Sequence, residues 1–186
     1  MMQLLESSLQ GCFEIQNRRF EDERGLFVKT FHKPTFEKLG LHTDFPEEYY
    51  SISKKGVIRG MHFQLPPYDH VKVVYCTSGK VMDVVVDLRK GSPTFGKHAI
   101  FELSSKKANM VYIPKGMAHG FCALEDDTMM HYKQSTVYAP DHDAGILWSS
   151  VGVDWAVEKP IISARDMSFD AFDIFDSPFS VEVLHE

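Results

Sequence analysis

The sequence predicts an all-β fold, and three observations predict it: a succession of β-branched and aromatic runs, turn residues closing each run, and little helical periodicity. Five runs follow one another: VKVVYCTSG (71–79), KVMDVVVDLRKG (80–91), KHAIFELS (97–104), NMVYIPKG (109–116) and TMMHYKQSTVYAP (128–140). They alternate only in part and are closed by Ser, Gly, Pro or Lys, the pattern of strands in a sandwich or barrel. PTFEKLG (34–40) has Pro near its start and Gly at its end, which predicts one short helix. The tail from Lys159 carries RDMSFDAFDIFD, whose apolar residues repeat at mixed intervals; it reads as one short helix plus coil. Helices do not alternate with strands, so a parallel β-α-β fold is not expected. No repeat, linker or boundary interrupts the chain, and residues 1–186 read as one domain.

Composition narrows the function classes. A chain of 186 residues with 44% hydrophobic and 12% aromatic content has enough apolar surface to bury a core. Net charge of −6 and a pI near 5.8 argue against a broad basic face, so no nucleic-acid partner is expected and an anionic ligand must meet a few local cations. The opening MMQLLESSLQGCFEIQ lacks a basic segment before an apolar run, and no stretch approaches the roughly 20 apolar residues of a membrane span. The expectation is a cytoplasmic protein with no membrane partner. Cys12, Cys76 and Cys122 are odd in number, lack Cys-x-x-Cys spacing and sit in apolar surroundings, which predicts buried free thiols.

Two motifs carry chemistry. In RGMHFQ, His62 and Gln64 are two apart and share a face of their strand. In IPKGMAHGF, Pro114 and Gly116 make a turn from which His119 opens the next strand, aiming an imidazole inward. Metal-holding barrels supply two or three imidazoles and a carboxylate; here an amide stands at the second ligand position and Lys72 follows, so no metal and no cofactor are expected. Alone, Lys72 in VKVVYC reads as an outward, solvated cation. Beside His62 and Gln64 it reads as part of a pocket for acid–base chemistry.

DERGLF, GVIRGMHFQLPPY, VKVV, DVVVDLRKGSPTFG, YIPKGMAHGF, MHYKQSTVYAPDHDAGILW and GVDW, in order and spacing, resemble the dTDP-4-dehydrorhamnose 3,5-epimerases over roughly residues 20–166. The resemblance implies a cupin-type jelly-roll β-barrel with a few short peripheral helices, and a homodimer that exchanges N-terminal strands. It also implies a cofactor-free reaction on a nucleotide-diphosphate 4-keto-6-deoxy-hexose. A 4-keto group acidifies the hydrogens on C3 and C5, and inversion needs a base on one face and an acid on the other. The resemblance implies His62 as base, Asp166 as its carboxylate partner, Lys72 beside the enolate oxygen and Tyr132 as acid. A lone tyrosine otherwise reads as a barrel-wall aromatic.

The resemblance further implies that Arg24, Arg59 and His119 contact the nucleotide sugar and that Tyr138 lies in the nucleotide region. Asp143 and Arg165 stand where the family usually has Glu and Lys, keeping charge type while changing reach. Gln64 is counted with these binding residues. Lys29 stands where the family commonly shows Glu, and Glu47-Glu48-Tyr49 where it shows Gln-x-Asn, so base recognition is expected to differ. Two alternatives follow: a single-carbon epimerase of a CDP-linked or otherwise modified 4-keto sugar, and a silent jelly roll that binds a sugar nucleotide.

Overall fold

The computed structural model describes residues 2–181. The strands in chain order are β1 (Gln3–Glu6), β2 (Phe13–Gln16), β3 (Arg19–Asp22), β4 (Gly25–Val28), β5 (Glu47–Ser53), β6 (Ile58–Gln64) and β7 (Lys72–Ser78). They continue as β8 (Lys80–Asp87), β9 (His98–Ser104), β10 (Asn109–Ile113), β11 (Met117–Ala123), β12 (Thr128–Gln134) and β13 (Asp143–Gly145). One sheet has the order β1-β2-β10-β7-β12-β5, the other β13-β6-β11-β8-β9, and β3-β4 form a separate hairpin. All strand pairs are antiparallel, giving the jelly-roll sandwich. No helix of the described residues is long and apolar enough to cross a membrane.

The partial alternation in the strand runs has a physical cause. In β8, Val81 and Val85 enter the core between the sheets, whereas Val84 and Val86 face a second apolar layer built with Ile146, Trp155 and Phe179 from the chain beyond β13. Both faces are covered, so both are apolar. In β7 the same parity sends Val74 and Cys76 inward and Val73 and Tyr75 outward against Phe36. Lys72 shares the inward parity of Val74 and Cys76 and is itself buried, so the outward reading of that lysine does not hold.

The helix expected over 34–40 is α1 (Lys33–Lys38), with Pro34 in its first turn. It seats fully buried Phe36 against Phe31 and Phe45, at ring distances of 4.9 and 6.4 Å. Emptying such a site by Phe→Ala costs about 3–5 kcal/mol. The tail supplies one helical turn, α2 (Ala164–Met167), capped by Ser163 Oγ, which accepts from the Asp166 N–H. Two boundaries differ from the sequence reading. The run expected to reach 140 leaves the sheet after Gln134, and β11 opens at Met117 rather than His119, because Gly116 at φ +78° completes the turn just before it. Cys12, Cys76 and Cys122 are free and buried.

Candidate active site

A cavity of about 360 Å³ opens between the two sheets and is lined by His62, Lys72, His119 and Tyr132. His62 and His119 come from the five-stranded sheet, Lys72 and Tyr132 from the six-stranded one, so the cavity has chemically different walls. His62 and His119 are register partners across β6 and β11. The strands touch closely there: a Cβ on Gly60 (φ +140°) would lie 2.6 Å from the Gly120 Cα, so glycine is needed at that approach.

His62 Nε2 lies 2.8 Å from Asp166 Oδ1, and Asp166 Oδ2 accepts from the Gly60 N–H at 3.1 Å. Burial would raise the Asp166 carboxyl, but hydrogen bonds from His62, Gly60 and Ser163 outweigh it and hold the group below the usual carboxylate range. An ionised Asp166 only accepts, so His62 Nε2 donates to it, and in the neutral imidazole the lone pair is on Nδ1. Among the described residues Nδ1 has no hydrogen-bond partner.

Lys72 is 6% exposed, and among the described residues no carboxylate lies within ion-pair distance of it. Burial lowers its pKa to about 8, opposed in part by the charges of Asp143 and Asp83. Tyr132 is also buried; its hydroxyl hydrogen-bonds Ser51 Oγ at 3.0 Å, and burial raises its pKa well above the ordinary phenol value. The Tyr49 ring stacks on it at 4.7 Å, and the His119 ring stands edge-on at 6.2 Å. His119 Nε2 is 2.7 Å from Asp83 Oδ2 in a sealed pair, and burial pushes the imidazole down and the carboxyl up.

The cavity mouth holds Glu47, Arg59, Tyr138, Asp143 and Arg165. Arg165 pairs with Asp143 at 2.7 Å, and the Tyr138 N–H donates to Glu47 Oε2. Arg59 Nε donates to Ser53 Oγ at 3.1 Å. Gln64 also lines the cavity, but both ends of its amide hold backbone: Nε2 donates to Tyr68 O at 2.9 Å and Oε1 accepts from Ala139 N at 2.7 Å. Among the described residues no three His, Cys, Asp or Glu side chains are grouped to hold a metal ion.

Two expected residues stand apart. Arg24 is at the β3-β4 turn, exposed and paired with Asp22 at 2.6 Å; Lys29 is exposed just beyond β4, and neither lines this cavity. Four residues escaped the sequence reading: Ser51, His70, Gln134 and Asp83. Ser51 is two residues from Tyr49 on β5 and so shares its face; Asp83 lies between Val81 and Val85 in the inward parity. Those spacings could have found both.

Residues 6–173 match the dTDP-4-dehydrorhamnose 3,5-epimerase family. The chain belongs to that family. It is an isomerase of this nucleotide-sugar class. The dTDP-4-dehydrorhamnose 3,5-epimerase of Shigella flexneri is 39% identical, the alignment covering 92% of this chain and 96% of that one. The dTDP-4-dehydrorhamnose 3-epimerase of Streptomyces niveus is 36% identical, over 89% of this chain and 81% of its own. Among solved structures, the dTDP-6-deoxy-D-glucose-3,5-epimerase of Legionella pneumophila Philadelphia 1, in complex with dTDP-4-keto-L-rhamnose, superposes with a TM-score of 0.90 at 32% identity, covering 95% of each chain. The cupin-type jelly roll implied by the resemblance is therefore the observed family fold.

Proposed function

We propose that this epimerase inverts the carbons flanking the carbonyl of a nucleoside-diphosphate 4-keto-6-deoxyhexose, with dTDP the nucleotide its relatives support. One observation carries the assignment of roles: His62, paired with Asp166 of α2, and Tyr132 come from opposite sheets into one cavity that also holds the buried Lys72 ammonium. His62 Nδ1 takes the proton from the carbon, and Asp166 stabilises the imidazolium that forms. Lys72 faces the carbonyl oxygen as it gains charge; in a dry site that attraction is worth far more than in water. Tyr132 then delivers its proton from the other face.

Arg59, Arg165 and Asp143 at the mouth suit recognition of the diphosphate and sugar, and exposed Tyr138 offers a ring for the base. His119 contributes the cavity-facing ring of a buried pair. Arg24 and Lys29 reach a cavity only if a second copy supplies them. The β3-β4 hairpin, with exposed Phe20, Leu26 and Phe27, and the outer strand β5, with exposed Tyr50 and Ile52, suit a homodimer that exchanges N-terminal strands. Residues 1–186 then act as one epimerase domain, working in the cytoplasm where nucleotide sugars are made.

The test is incubation with nucleotide-linked 4-keto-6-deoxy sugars in D₂O, followed by NMR at C3 and C5. Deuterium at both carbons with inverted product is expected. Deuterium at one carbon supports the single-carbon alternative, and no exchange with any sugar supports the silent binding module.

A further inference from the structure

Tyr49 has no chemical step in the reaction just described, yet of the two rings against Tyr132 it is the closer. Its ring stacks on the Tyr132 ring with centroids 4.7 Å apart and planes 17° from parallel. Its hydroxyl accepts from Gln134 Nε2 at 2.7 Å. Register creates the pair, since Tyr49 and Tyr132 are direct partners across β5 and β12. Tyrosine χ2 is a broad, soft torsion, so a hydroxyl keeps its aim only when the ring's faces and tip are held. Tyr132 is held by Tyr49 on its face, His119 at an edge and Ser51 at its tip. Tyr49 stands at the open side of this arrangement: it is 40% exposed, on a strand at the margin of its sheet, and lines the cavity.

We propose that Tyr49, braced by Gln134, is a positioning residue for Tyr132 and sets the fraction of enolates protonated from the tyrosine's face. This rests on the epimerase reading above. In that reaction the C–H bond breaks, its proton passes to His62 Nδ1 and its electron pair is delocalised onto the carbonyl oxygen. The enolate then has two proton sources. Protonated His62 returns a proton to the original face and restores the starting configuration. Tyr132 forms the new C–H bond on the other face; the tyrosinate regains a proton from solvent while His62 releases its own, so the cycle closes without net change. A loosened Tyr132 ring shifts this partition toward return while leaving the His62–Asp166 pair untouched. Loss of general pocket shape would instead lower abstraction and inversion together.

The experiment measures, in D₂O by NMR, total deuterium uptake at the reactive carbons and the rate of inversion, for the wild type, Tyr49→Leu, Tyr49→Asn and Tyr49→Phe. Tyr49 is partly exposed, so these variants are expected to fold, and two independent disruptive changes guard against one that does not. In Tyr49→Leu and Tyr49→Asn the ratio of inversion to exchange, both measured at saturating substrate, is expected to fall about tenfold. Tyr49→Phe keeps the stack and should restore the ratio to within about threefold. An unchanged ratio in both disruptive variants, or exchange and inversion falling by one common factor, overturns the proposal. Wild-type protein that exchanges at neither carbon overturns the epimerase reading and this proposal with it; normal wild-type exchange with an unchanged variant ratio overturns this proposal alone.

Discussion

The cavity is flanked by two His–Asp pairs of nearly equal length, His62–Asp166 at 2.8 Å and His119–Asp83 at 2.7 Å, and they are built for different work. The first is half-open, with side chains 28% and 5% exposed, and its carboxylate collects three donors that keep it ionised. The second is sealed at 4% and 0%, its buried Asp83 Oδ1 has no partner among the described residues, and burial opposes charge on both members. A proton can leave and re-enter His62, and the imidazolium has a ready counter-ion. His119 is a fixed imidazole in the wall. Identical residue types thus differ in environment, through solvation and hydrogen-bond count.

The largest expected effect breaks this contrast directly. His62→Ala should reduce deuterium exchange by about 10³–10⁴, within the range of a lost general base, with folding stability changed by only about 1 kcal/mol. His119→Phe should act the other way round. It strands Asp83 in the interior, so unfolding by heat or denaturant should show a loss of about 3 kcal/mol, with the smaller kinetic effect of a binding residue. Comparable kinetic losses in the two variants would remove the distinction.

Lys72 sharpens the comparison because it is a buried cation with no paired carboxylate among the described residues. Lys72→Met should cost about 10²–10³ in turnover while raising stability by about 1–2 kcal/mol, since an ammonium held in the interior carries a desolvation penalty. With its pKa lowered to about 8, the wild-type ammonium neutralises as pH rises through that value, so turnover should decline above pH 8. Lys72→Arg should remove that limb, because guanidinium stays charged. Persistence of the same limb in Lys72→Arg would assign it to another group.

Strands β7, β8, β10 and β11 could be read from the sequence because both of their faces are largely buried, leaving long apolar runs, and β9 and β12 because buried residues alternate with more exposed ones. β3 reads RFED and is exposed throughout, so nothing in its pattern distinguishes it from a loop. The shared face of His62 and Gln64 was legible from spacing two; Asp83 escaped, although its place between two inward valines carries the same kind of signal. Asp166 was not, because it lies 104 residues from His62 and meets it only when the tail folds across the sheet; only family resemblance pointed to it. Gln64 shows the limit of parity. It faces the cavity, yet its amide is occupied with backbone, which no spacing reveals.

The smallest effect concerns the base. Glu47, read as a possible base contact, accepts the Tyr138 N–H, and Tyr138 itself is an exposed ring. Stacking tolerates any base. In competition binding of dTDP, CDP, UDP and GDP, dTDP should lead the best alternative by less than about tenfold, or about 1.4 kcal/mol. A much larger preference would show that an edge contact reads thymine.

The central claim is that base and acid act from opposite walls, and Tyr132→Phe in D₂O tests it most directly. The substitution keeps the ring stacked on Tyr49 and removes the hydroxyl, and with it the proton. His62 should then still exchange substrate hydrogen for deuterium, returned with retained configuration, while inverted product falls by about 10² or more. Inversion at the wild-type rate in Tyr132→Phe would contradict the account and place the acid elsewhere in the cavity.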